Sequence, residues 1–184
     1  MNRNNIFLTG DLVIVKNVST DETETYLKVR RYATMFKSAY DMDAGLWDNM
    51  KRQLIDDITG KNVICLIYEA ESMKVCGYIE LEMNDIHKPK VGIGILEKYR
   101  DRGYASEACL LLLHEALEDG DIECIEWMAL YNNEASNKIA KKLGGKIVRK
   151  DPLISKEMME GWKDDDVIKG TGMLCCNVYE ICRR

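Results

Sequence analysis

The sequence predicts one α/β domain, residues 1–184, in which helices flank a central mixed sheet. Three observations lead to this expectation. Three apolar runs of strand length follow one another closely between residues 63 and 96, as in an antiparallel meander. After residue 100, stretches of helical length alternate with short strands, which favours parallel neighbours in the second half. No internal repeat and no shift in composition marks a second domain.

The first elements are a strand and two helices. The run LVIV at 12–15 has the length and the β-branched content of a strand. Residues 20–22 (TDE) provide helix-start chemistry for a stretch that includes Tyr26, Val29 and Ala33. A second helix is expected over 46–58, because apolar residues recur there every four positions and a Thr-Gly stop signal follows. Those apolar residues are Leu46, Met50, Leu54 and Ile58.

The remaining elements follow from a change of period. VICLIY at 63–68, the alternating segment 74–83 and KVGIGIL at 90–96 predict the strands of the meander. Helices are expected at 105–118 and 133–143, each ended by glycine, with a strand at 122–130 between them. Short strands at 146–149 and 173–182 complete the sheet, on either side of the polar connection 151–172.

Composition restricts the class of partner. The chain has 31 acidic and 26 basic residues, which argues against nucleic-acid binding because such binding needs clustered lysine and arginine. The small acidic excess favours a cationic small molecule or a basic peptide. No apolar stretch approaches the ~20 residues that span a bilayer, and the first residues lack the plan of a signal peptide. We therefore expect a soluble, cytoplasmic monomer or homodimer without membrane association.

The seven cysteines are expected to be reduced thiols of a cytoplasmic protein. The sequence contains no CxxC pair and no Cys/His spacing of the zinc type, so no metal site is expected. Several of the cysteines fall inside apolar runs, where a free thiol behaves as a small hydrophobic group. Their positions are Cys65, Cys76, Cys109, Cys124, Cys175, Cys176 and Cys182.

The segment EKYRDRGYASEA at 97–108 connects the last meander strand to an apolar helix. The N–H groups of a helix's first turn have no intrahelical partner, and the helix dipole adds positive charge there. Gly103 removes the Cβ that would block a close approach, and Arg100 and Arg102 add charge. The segment therefore predicts a phosphate or pyrophosphate site. Just upstream, Gly92 and Gly94 lie inside a strand, where glycine indicates a bulge or a close backbone approach.

These residues resemble a motif of the GNAT family of N-acetyltransferases. RDRGYA at 100–105 matches the family signature [QR]-x-x-G-x-[GA], and the preceding strand and following helix look like the family's fourth strand and third helix. Further along, NEAS at 133–136 and KLG at 142–144 resemble the family's N-x-x-[AS]…K-x-G segment. The two motifs cover residues 74–148 and are most similar to the branch of ribosomal-protein N-terminal and spermidine acetyltransferases. The resemblance implies a splayed cleft in the mixed sheet that binds acetyl-CoA.

The resemblance also implies roles for particular residues toward acetyl-CoA. Main-chain groups of Ile93 and Ile95 would bind the pantetheine arm. Asn133 would contact the pantetheine near the thioester, and it is also a candidate helix N-cap, a role compatible with the first. Main-chain amides of one continuous segment would hold the pyrophosphate, namely Arg100, Asp101, Arg102, Gly103, Tyr104 and Ala105.

Acetyl transfer to a primary amine needs a group that accepts the amine proton. Glu80 is the candidate base, because it lies near the centre of an alternating strand. Glu82 projects to the same face and Glu126, in a later strand, is a weaker option. Glu80 and Glu82 are also compatible with a solvated strand face.

The leaving thiolate needs a proton or a stabilising donor. Many members of the family carry a tyrosine for this purpose seven residues after the motif asparagine, but this chain has Ala140 there. Ser136 is therefore the candidate acid, with a backbone-bonded serine of the first helical turn as the competing interpretation. Tyr131, reaching inward from a strand end, is a further option, and a coenzyme A thiolate can also leave without a dedicated acid.

We expect an acetyl-CoA-dependent N-acetyltransferase that acts on a peptide amine, a polyamine or another small amine by direct attack on the thioester. The absence of the usual tyrosine motivates an alternative, a catalytically silent acyl-CoA-binding or regulatory module of the same fold. The acceptor is expected to bind beneath residues 20–59 and the connection 151–172. Acidic residues in the first of these segments could attract a cationic acceptor, namely Asp41, Asp43, Asp48, Asp56 and Asp57.

Overall fold

The computed structural model describes residues 3, 5–33, 44–152 and 175–183 of the 184-residue chain. Within these residues eight strands form one sheet: β1 (Phe7–Thr9), β2 (Val13–Asn17), β3 (Val63–Glu69), β4 (Val75–Glu82), β5 (Lys90–Ile95), β6 (Cys124–Leu130), β7 (Lys146–Pro152) and β8 (Cys175–Cys182). The helices are α1 (Thr23–Ala33), α2 (Ala44–Thr59), α3 (Tyr104–Leu117) and α4 (Glu134–Lys142).

The strands lie in the order β1-β2-β3-β4-β5-β6-β8-β7. Neighbouring strands are antiparallel except β5 and β6, which run parallel because α3 crosses from the end of one to the start of the other. The mixed sheet with a meander is confirmed. The expectation of further parallel neighbours is wrong, because β8 pairs antiparallel with both β6 and β7 and separates the two strands that α4 connects.

Most predicted elements exist, with bounds shifted by a few residues. The strand expected at 12–15 is β2, and the edge strand β1 was missed because its three residues contain no buried apolar run. In α2, Leu54 is buried and Met50 and Ile58 pack against the core, as the four-residue spacing predicted. Asp41, Asp43, residues 153–172 of the polar connection and the start of the strand expected at 173–182 lie outside the described residues.

Two apolar clusters cover the two faces of the sheet. One packs α3 and Ala140 of α4 against the sheet and includes Leu112, Trp127 and Tyr179. The other packs α1 and α2 against β3 and β4 and includes Tyr26 and Tyr78. Each large side chain buried in this way contributes roughly 1.5–3 kcal/mol. None of the described helices combines the length and apolar character that crossing a membrane requires.

The cysteine prediction needs one correction. Cys124 and Cys182 form a disulfide, so the expectation of seven reduced thiols is wrong for these two. They are register partners on β6 and β8 but lie 58 residues apart in sequence, so their spacing gave no sign of the pairing. The remaining cysteines are free thiols, namely Cys65, Cys76, Cys109, Cys175 and Cys176.

Candidate active site

The site begins with a cleft between the parallel strands β5 and β6. Their register pairs are Lys90–Glu126 and Val91–Trp127, and no further pair joins the two strands in the described part of the chain. Past these pairs the carboxyl ends of the strands leave a cleft, and the loop that leads to α3 begins at the end of β5. The splayed arrangement expected for the cofactor is therefore present.

Every second residue of β5 points its main-chain N–H and C=O groups into this cleft. Leu96 N donates to Cys76 O of β4 at 2.9 Å, whereas Pro89 O accepts from Glu126 N of β6 at 2.9 Å. Because successive residues of a strand point their N–H and C=O groups to opposite sides, Ile93 and Ile95 direct theirs toward β6. The two residues predicted to contact pantetheine thus present main-chain groups to the cleft, and Ile95 O also accepts a hydrogen bond from Arg100 Nε at 3.2 Å.

A loop with two positive φ angles leads into α3. Gly103 is the N-cap residue of α3, with φ 84°, and Asp101 also has a positive φ, 59°. A Cβ at position 103 would lie 3.2 Å from Leu12 Cδ1 in addition to adopting an unfavourable conformation. Beyond this loop the first-turn N–H groups of the 14-residue helix point outward from its positive end.

One carboxylate, that of Glu69, contacts two side chains of this segment. Arg102 Nη1 lies 3.6 Å from Glu69 Oε1, and the Tyr104 hydroxyl donates to the same carboxylate. Arg102 nevertheless keeps half of its side chain exposed. The segment 100–105 that sequence reasoning singled out is therefore one continuous loop and helix start, and its main-chain amides are better placed for an anion than the side chain of Tyr104.

Glu80 lies in the centre of β4 and is only 8% exposed. Tyr26 donates its hydroxyl proton to Glu80 Oε2, and Arg30 Nη2 donates to Oε1 at 3.2 Å. Burial, followed by the charge of Glu80, raises the pKa of Tyr26 well above its ordinary value, so this phenol remains a donor. Across the strand pair, a Cβ at Gly92 would lie 2.7 Å from Glu80 Oε1. Gly92 is the first residue of β5 past the pairs with β6, so Glu80 lies at the closed end of the cleft.

A cavity of about 340 Å³ opens beside Glu80, between α1, α2 and the sheet. This volume is in the range that accommodates a small molecule. Its lining combines the ion pair of Glu80 and Arg30 with two more carboxylates, Asp57 and Glu82. Apolar lining comes from Leu27, Met50, Leu54 and Ile64. The cavity thus offers excess negative charge beside an apolar wall.

Ser136 lies on the opposite face of the sheet from Glu80. Its backbone N–H donates to Asn133 Oδ1 at 3.1 Å, which confirms Asn133 as the N-cap of α4. Its hydroxyl oxygen accepts from Trp127 Nε1 at 3.0 Å. Trp127 belongs to the last β5–β6 pair, so it places Ser136 beside the closed end of the cleft.

The structure also places the two alternative candidates, Tyr131 and Glu126, and the residue that replaces the usual tyrosine, Ala140. Tyr131 is 64% exposed after β6, so the expectation that it reaches inward is wrong. Ala140 is completely buried in the core. Glu126 is only 5% exposed, and its Oε2 accepts from Arg149 Nη2 at 2.9 Å. Among the described residues, none donates a hydrogen bond to Glu126 Oε1. Glu126 therefore belongs first to an ion cluster on β6, β7 and β8.

Sequence reasoning missed Asn137, which joins three elements at the end of the cleft. This side chain is 7% exposed. Its Nδ2 donates to Leu130 O at 2.8 Å and to Asn133 O at 2.7 Å. Its Oδ1 accepts from Tyr179 OH at 2.7 Å and from the side chain of Asn177. The available signal was an asparagine on the apolar face of α4, but its partners on β8 lie some forty residues away.

Comparison with known proteins agrees with this architecture. A family model described as an acetyltransferase (GNAT) domain matches residues 13–146. A GNAT-family acetyltransferase from Bacillus anthracis has a similar structure, with a TM-score of 0.68 and 15% identity, covering 96% of this chain and 98% of that chain. No curated protein matches the sequence.

Two further structures of the same fold were solved with ligands. The microcin C7 self-immunity acetyltransferase, in complex with acetyl-CoA and AMP, has a TM-score of 0.67 and 14% identity over 95% of this chain and 94% of that chain. RimL, a ribosomal L7/L12 alpha-N-protein acetyltransferase in complex with coenzyme A, has a TM-score of 0.71 and 10% identity. The match covers 96% of this chain and 98% of that chain. At these identities the likeness is one of fold.

Proposed function

The chain belongs to the GNAT acetyltransferase family, and from this premise we propose that it transfers the acetyl group of acetyl-CoA to a primary amine. Acetyl-CoA is the co-substrate, and the acceptor is a peptide amine, a polyamine or another small amine that attacks the thioester directly. The observation that carries the proposal is the cleft between β5 and β6, which has an anion-binding loop at its open end and Glu80 at its closed end. We also propose that residues 1–184 form a single domain.

The residues present suit acetyl-CoA. The amides of Arg100 to Ala105 would hold the pyrophosphate, with Arg100 and Arg102 adding charge near its oxygens. The cleft-facing main-chain groups of Ile93 and Ile95 would bind the amides of the pantetheine arm. Asn133, the N-cap of α4, follows the carboxyl end of β6, and its side chain would contact the pantetheine near the thioester.

Glu80 would bind the attacking amine. Its carboxylate is held in place by Tyr26 and Arg30, and Gly92 leaves the space in front of it open. A carboxylate so placed accepts a hydrogen bond from the amine and takes its proton, directly or through one water molecule. The cavity beside Glu80, with Asp57 and Glu82 in its lining, would receive the rest of a cationic acceptor.

Ser136 would supply the proton for the leaving sulfur. Because Trp127 N–H already donates to the oxygen of Ser136, the hydroxyl hydrogen remains available to a second acceptor. Glu80 and Ser136 lie on opposite faces of the sheet at the same end of the cleft. This arrangement lets the amine approach from one side and the proton reach the sulfur from the other.

Titration calorimetry tests the cofactor site. Wild-type protein is expected to bind acetyl-CoA, and the double variant Arg100→Glu, Arg102→Glu to bind it at least about 10-fold more weakly, because two favourable charges near the diphosphate become repulsive. Lys61→Glu, an exposed charge reversal after α2, is the control and should bind as wild type. Equal affinity in all three proteins would contradict the placement of the pyrophosphate.

Thiol release from acetyl-CoA in the presence of amines tests the chemistry. A panel of peptide amines, polyamines and aminoglycosides should include one that accelerates release above the rate with water alone. With that amine, Glu80→Gln is expected to lower kcat/KM by about 100-fold without changing the affinity for coenzyme A. Glu71→Gln, an exposed carboxylate between β3 and β4 and outside the cavity lining, is the control and should stay within about 3-fold of wild type.

The burial of Ala140 at the position of the family's usual acid favours one alternative, a silent acyl-CoA-binding module. Tight binding of acetyl-CoA together with no amine-dependent thiol release across the whole panel would support that alternative. The variant Ser136→Ala provides a test that would support the active acetyltransferase over the silent module. A drop of about 10-fold or more in kcat, with unchanged binding, would show that this hydroxyl takes part in turnover.

A further inference from the structure

Four side chains with metal-binding groups form a square on one face of the sheet. Cys124 pairs with Cys182 across β6 and β8, and Glu126 pairs with Glu180 two residues away. Since side chains two residues apart share a face, all four project to the same side. The two sulfurs and a Glu180 carboxylate oxygen lie within 4.8 Å of one another.

We propose that Cys124, Cys182 and Glu180 bind a thiophilic divalent cation, with Zn²⁺ as the best fit, when the disulfide between the cysteines is reduced. Thiolates and carboxylates both bind Zn²⁺, at about 2.3 Å and about 2.0–2.2 Å, so three ligand atoms within 4.8 Å of one another can share one ion. A water molecule would complete a tetrahedral site, since three protein ligands are available.

The same sulfurs therefore have two states. In the oxidised state they form the disulfide of the structure. A dithiol reductant supplies two electrons and two protons, which convert the disulfide into two thiols while the reductant becomes a disulfide. Each thiol then loses its proton on binding the cation, so two protons are released per ion bound. Disulfides persist in oxidising compartments and thiols in reducing ones, so the surroundings of the chain would select the state.

In the oxidised state Lys88 forms an ion pair with Glu180, and Glu126 is a second carboxylate within its reach. Its ammonium group contacts Glu180 Oε1 and lies 4.0 Å from Glu126 Oε2. Glu126 is 95% buried, and its Oε1 accepts no hydrogen bond from the described residues. Movement of Lys88 from Glu180 toward Glu126 Oε2 would free the metal ligand, while Lys90 Nζ lies 3.8 Å from Glu126 Oε1.

Charge also favours the bound state. Two thiolates and the Glu180 carboxylate carry three negative charges, and a dication balances two of them. The free thiols inside the core are poor competitors, because burial raises the pKa of Cys65, Cys76 and Cys109 and so opposes the thiolate that a metal needs. The cross-strand pair lies nearer the surface, with Cys182 exposed.

Cobalt titration tests the site on the full-length protein and does not depend on acetyl transfer. Reduced wild-type protein is expected to bind one Co²⁺ per chain, with a sulfur-to-cobalt charge-transfer band, and Zn²⁺ should displace it. Cys124→Ser and Cys182→Ser should abolish the band, and Glu180→Gln should weaken binding at least about 10-fold. Cys175→Ser is the control and should bind as wild type, and oxidised wild type should bind none.

Several outcomes would overturn the proposal. Reduced wild type that takes up no Co²⁺, or a band that survives both cysteine substitutions, would exclude the thiolate site. An unchanged affinity of Glu180→Gln for Co²⁺ would show that Glu180 is not a ligand of the cation. Should the serine variants fail to fold, alkylation of the reduced wild-type protein decides the question. Zn²⁺ should protect Cys124 and Cys182 from iodoacetamide in peptide mass spectra, and protection of other cysteines instead would contradict the site.

Discussion

Gly92 and Gly94 lie in β5, and the atoms opposite them explain why side chains are absent there. A Cβ at Gly94 would lie 2.5 Å from the ring of Tyr78 and 2.9 Å from Ala33. A Cβ at Gly92 would lie 2.7 Å from Glu80 Oε1. Their register with β4 is regular, so the two glycines mark a close approach and not a bulge. Gly94 is therefore required for packing, and Gly92 leaves space for the proposed base, Glu80.

We expect Gly92→Ala to lower kcat/KM by about 10-fold or more, with little change in affinity for coenzyme A. The new methyl group would displace the Glu80 carboxylate from the hydroxyl of Tyr26 and the guanidinium of Arg30. Steady-state kinetics and calorimetry measure the two effects separately.

Gly120→Ala is the matched control, because a Cβ at Gly120 meets nothing within 4 Å. It should retain the kinetics of the wild type. Full activity of Gly92→Ala would show that the position of the Glu80 carboxylate does not govern turnover, and would weaken the assignment of Glu80 as the base.

At the scale of the elements, one carboxylate joins α3 to the first hairpin. Glu107, in the first turn of α3, accepts three backbone hydrogen bonds from the β1–β2 turn: Asp11 N at 3.1 Å, Leu12 N at 2.8 Å and Val13 N at 2.8 Å. Charge-assisted bonds of this kind are about twice as strong as neutral ones. They hold Leu12 against Gly103 at the start of the proposed pyrophosphate loop.

Glu107→Ala is expected to destabilise the protein by about 1–3 kcal/mol, because three backbone donors of the turn lose their acceptor. Urea denaturation gives the free energy of unfolding, and hydrogen exchange at Asp11, Leu12 and Val13 should accelerate more than elsewhere. Glu115→Ala, on the same helix, should change stability by less than about 0.5 kcal/mol. Equal exchange rates in the two variants would contradict this role of Glu107.

At the scale of the whole molecule, Glu22 connects the start of α1 to the sheet. Its carboxylate accepts from Tyr68 OH at 2.6 Å, Ser19 Oγ at 2.7 Å and Lys16 Nζ at 3.3 Å. Burial alone would raise the pKa of Glu22, but the hydrogen bonds from Tyr68 and Ser19 outweigh it and lower this pKa to about 2. The ionised carboxylate therefore stabilises the fold that carries α1 and, with it, Tyr26 and Arg30.

Because the pKa of Glu22 is lower in the folded chain than its ordinary value of 4.5, its contribution is fully present above pH 4.5. That contribution should be lost as the pH falls from about 4.5 toward about 2. At neutral pH we expect Glu22→Gln to be less stable than wild type by roughly 1 kcal/mol after allowance for solvent screening.

Urea denaturation at a series of pH values would show the two stability curves of wild type and Glu22→Gln converging near pH 2. Glu24→Gln is the control, because Glu24 makes exposed ion pairs with Lys28 and Lys51 and should have a smaller effect. Curves of wild type and Glu22→Gln that stay parallel between pH 5 and pH 2 would contradict the lowered pKa.

The fold and the cofactor loop were largely predictable, because their signals are local. Helices α2, α3 and α4 follow from the spacing of apolar residues and from glycine stops within a few turns of chain. The loop before α3 follows from a contiguous motif around Gly103, and the structure adds that this glycine has a positive φ. The position of β8 between β6 and β7 was not predictable, because it depends on which of several available sheet edges the last strand joins.

The catalytic environment was less predictable. Glu80 could be named from alternation in β4, but its partners Tyr26 and Arg30 lie 54 and 50 residues away in sequence. The inward position expected for Tyr131 was wrong, because the turn after β6 leaves its side chain exposed. Asn137 was missed because its hydrogen bonds join α4 to β6 and β8 only after these elements have packed.

The sequence by itself determined the type of most elements, the family and the turn proposed to bind the pyrophosphate, since each depends on residues that are neighbours along the chain. Only the tertiary structure decided which carboxylate lies beside Gly92, which cysteines meet across β6 and β8, and which oxygen of Glu126 accepts no hydrogen bond from the described residues. These features arise when distant segments pack into contact, and a linear pattern does not specify such long-range pairings because a shift of one residue in strand register turns every side chain to the other face.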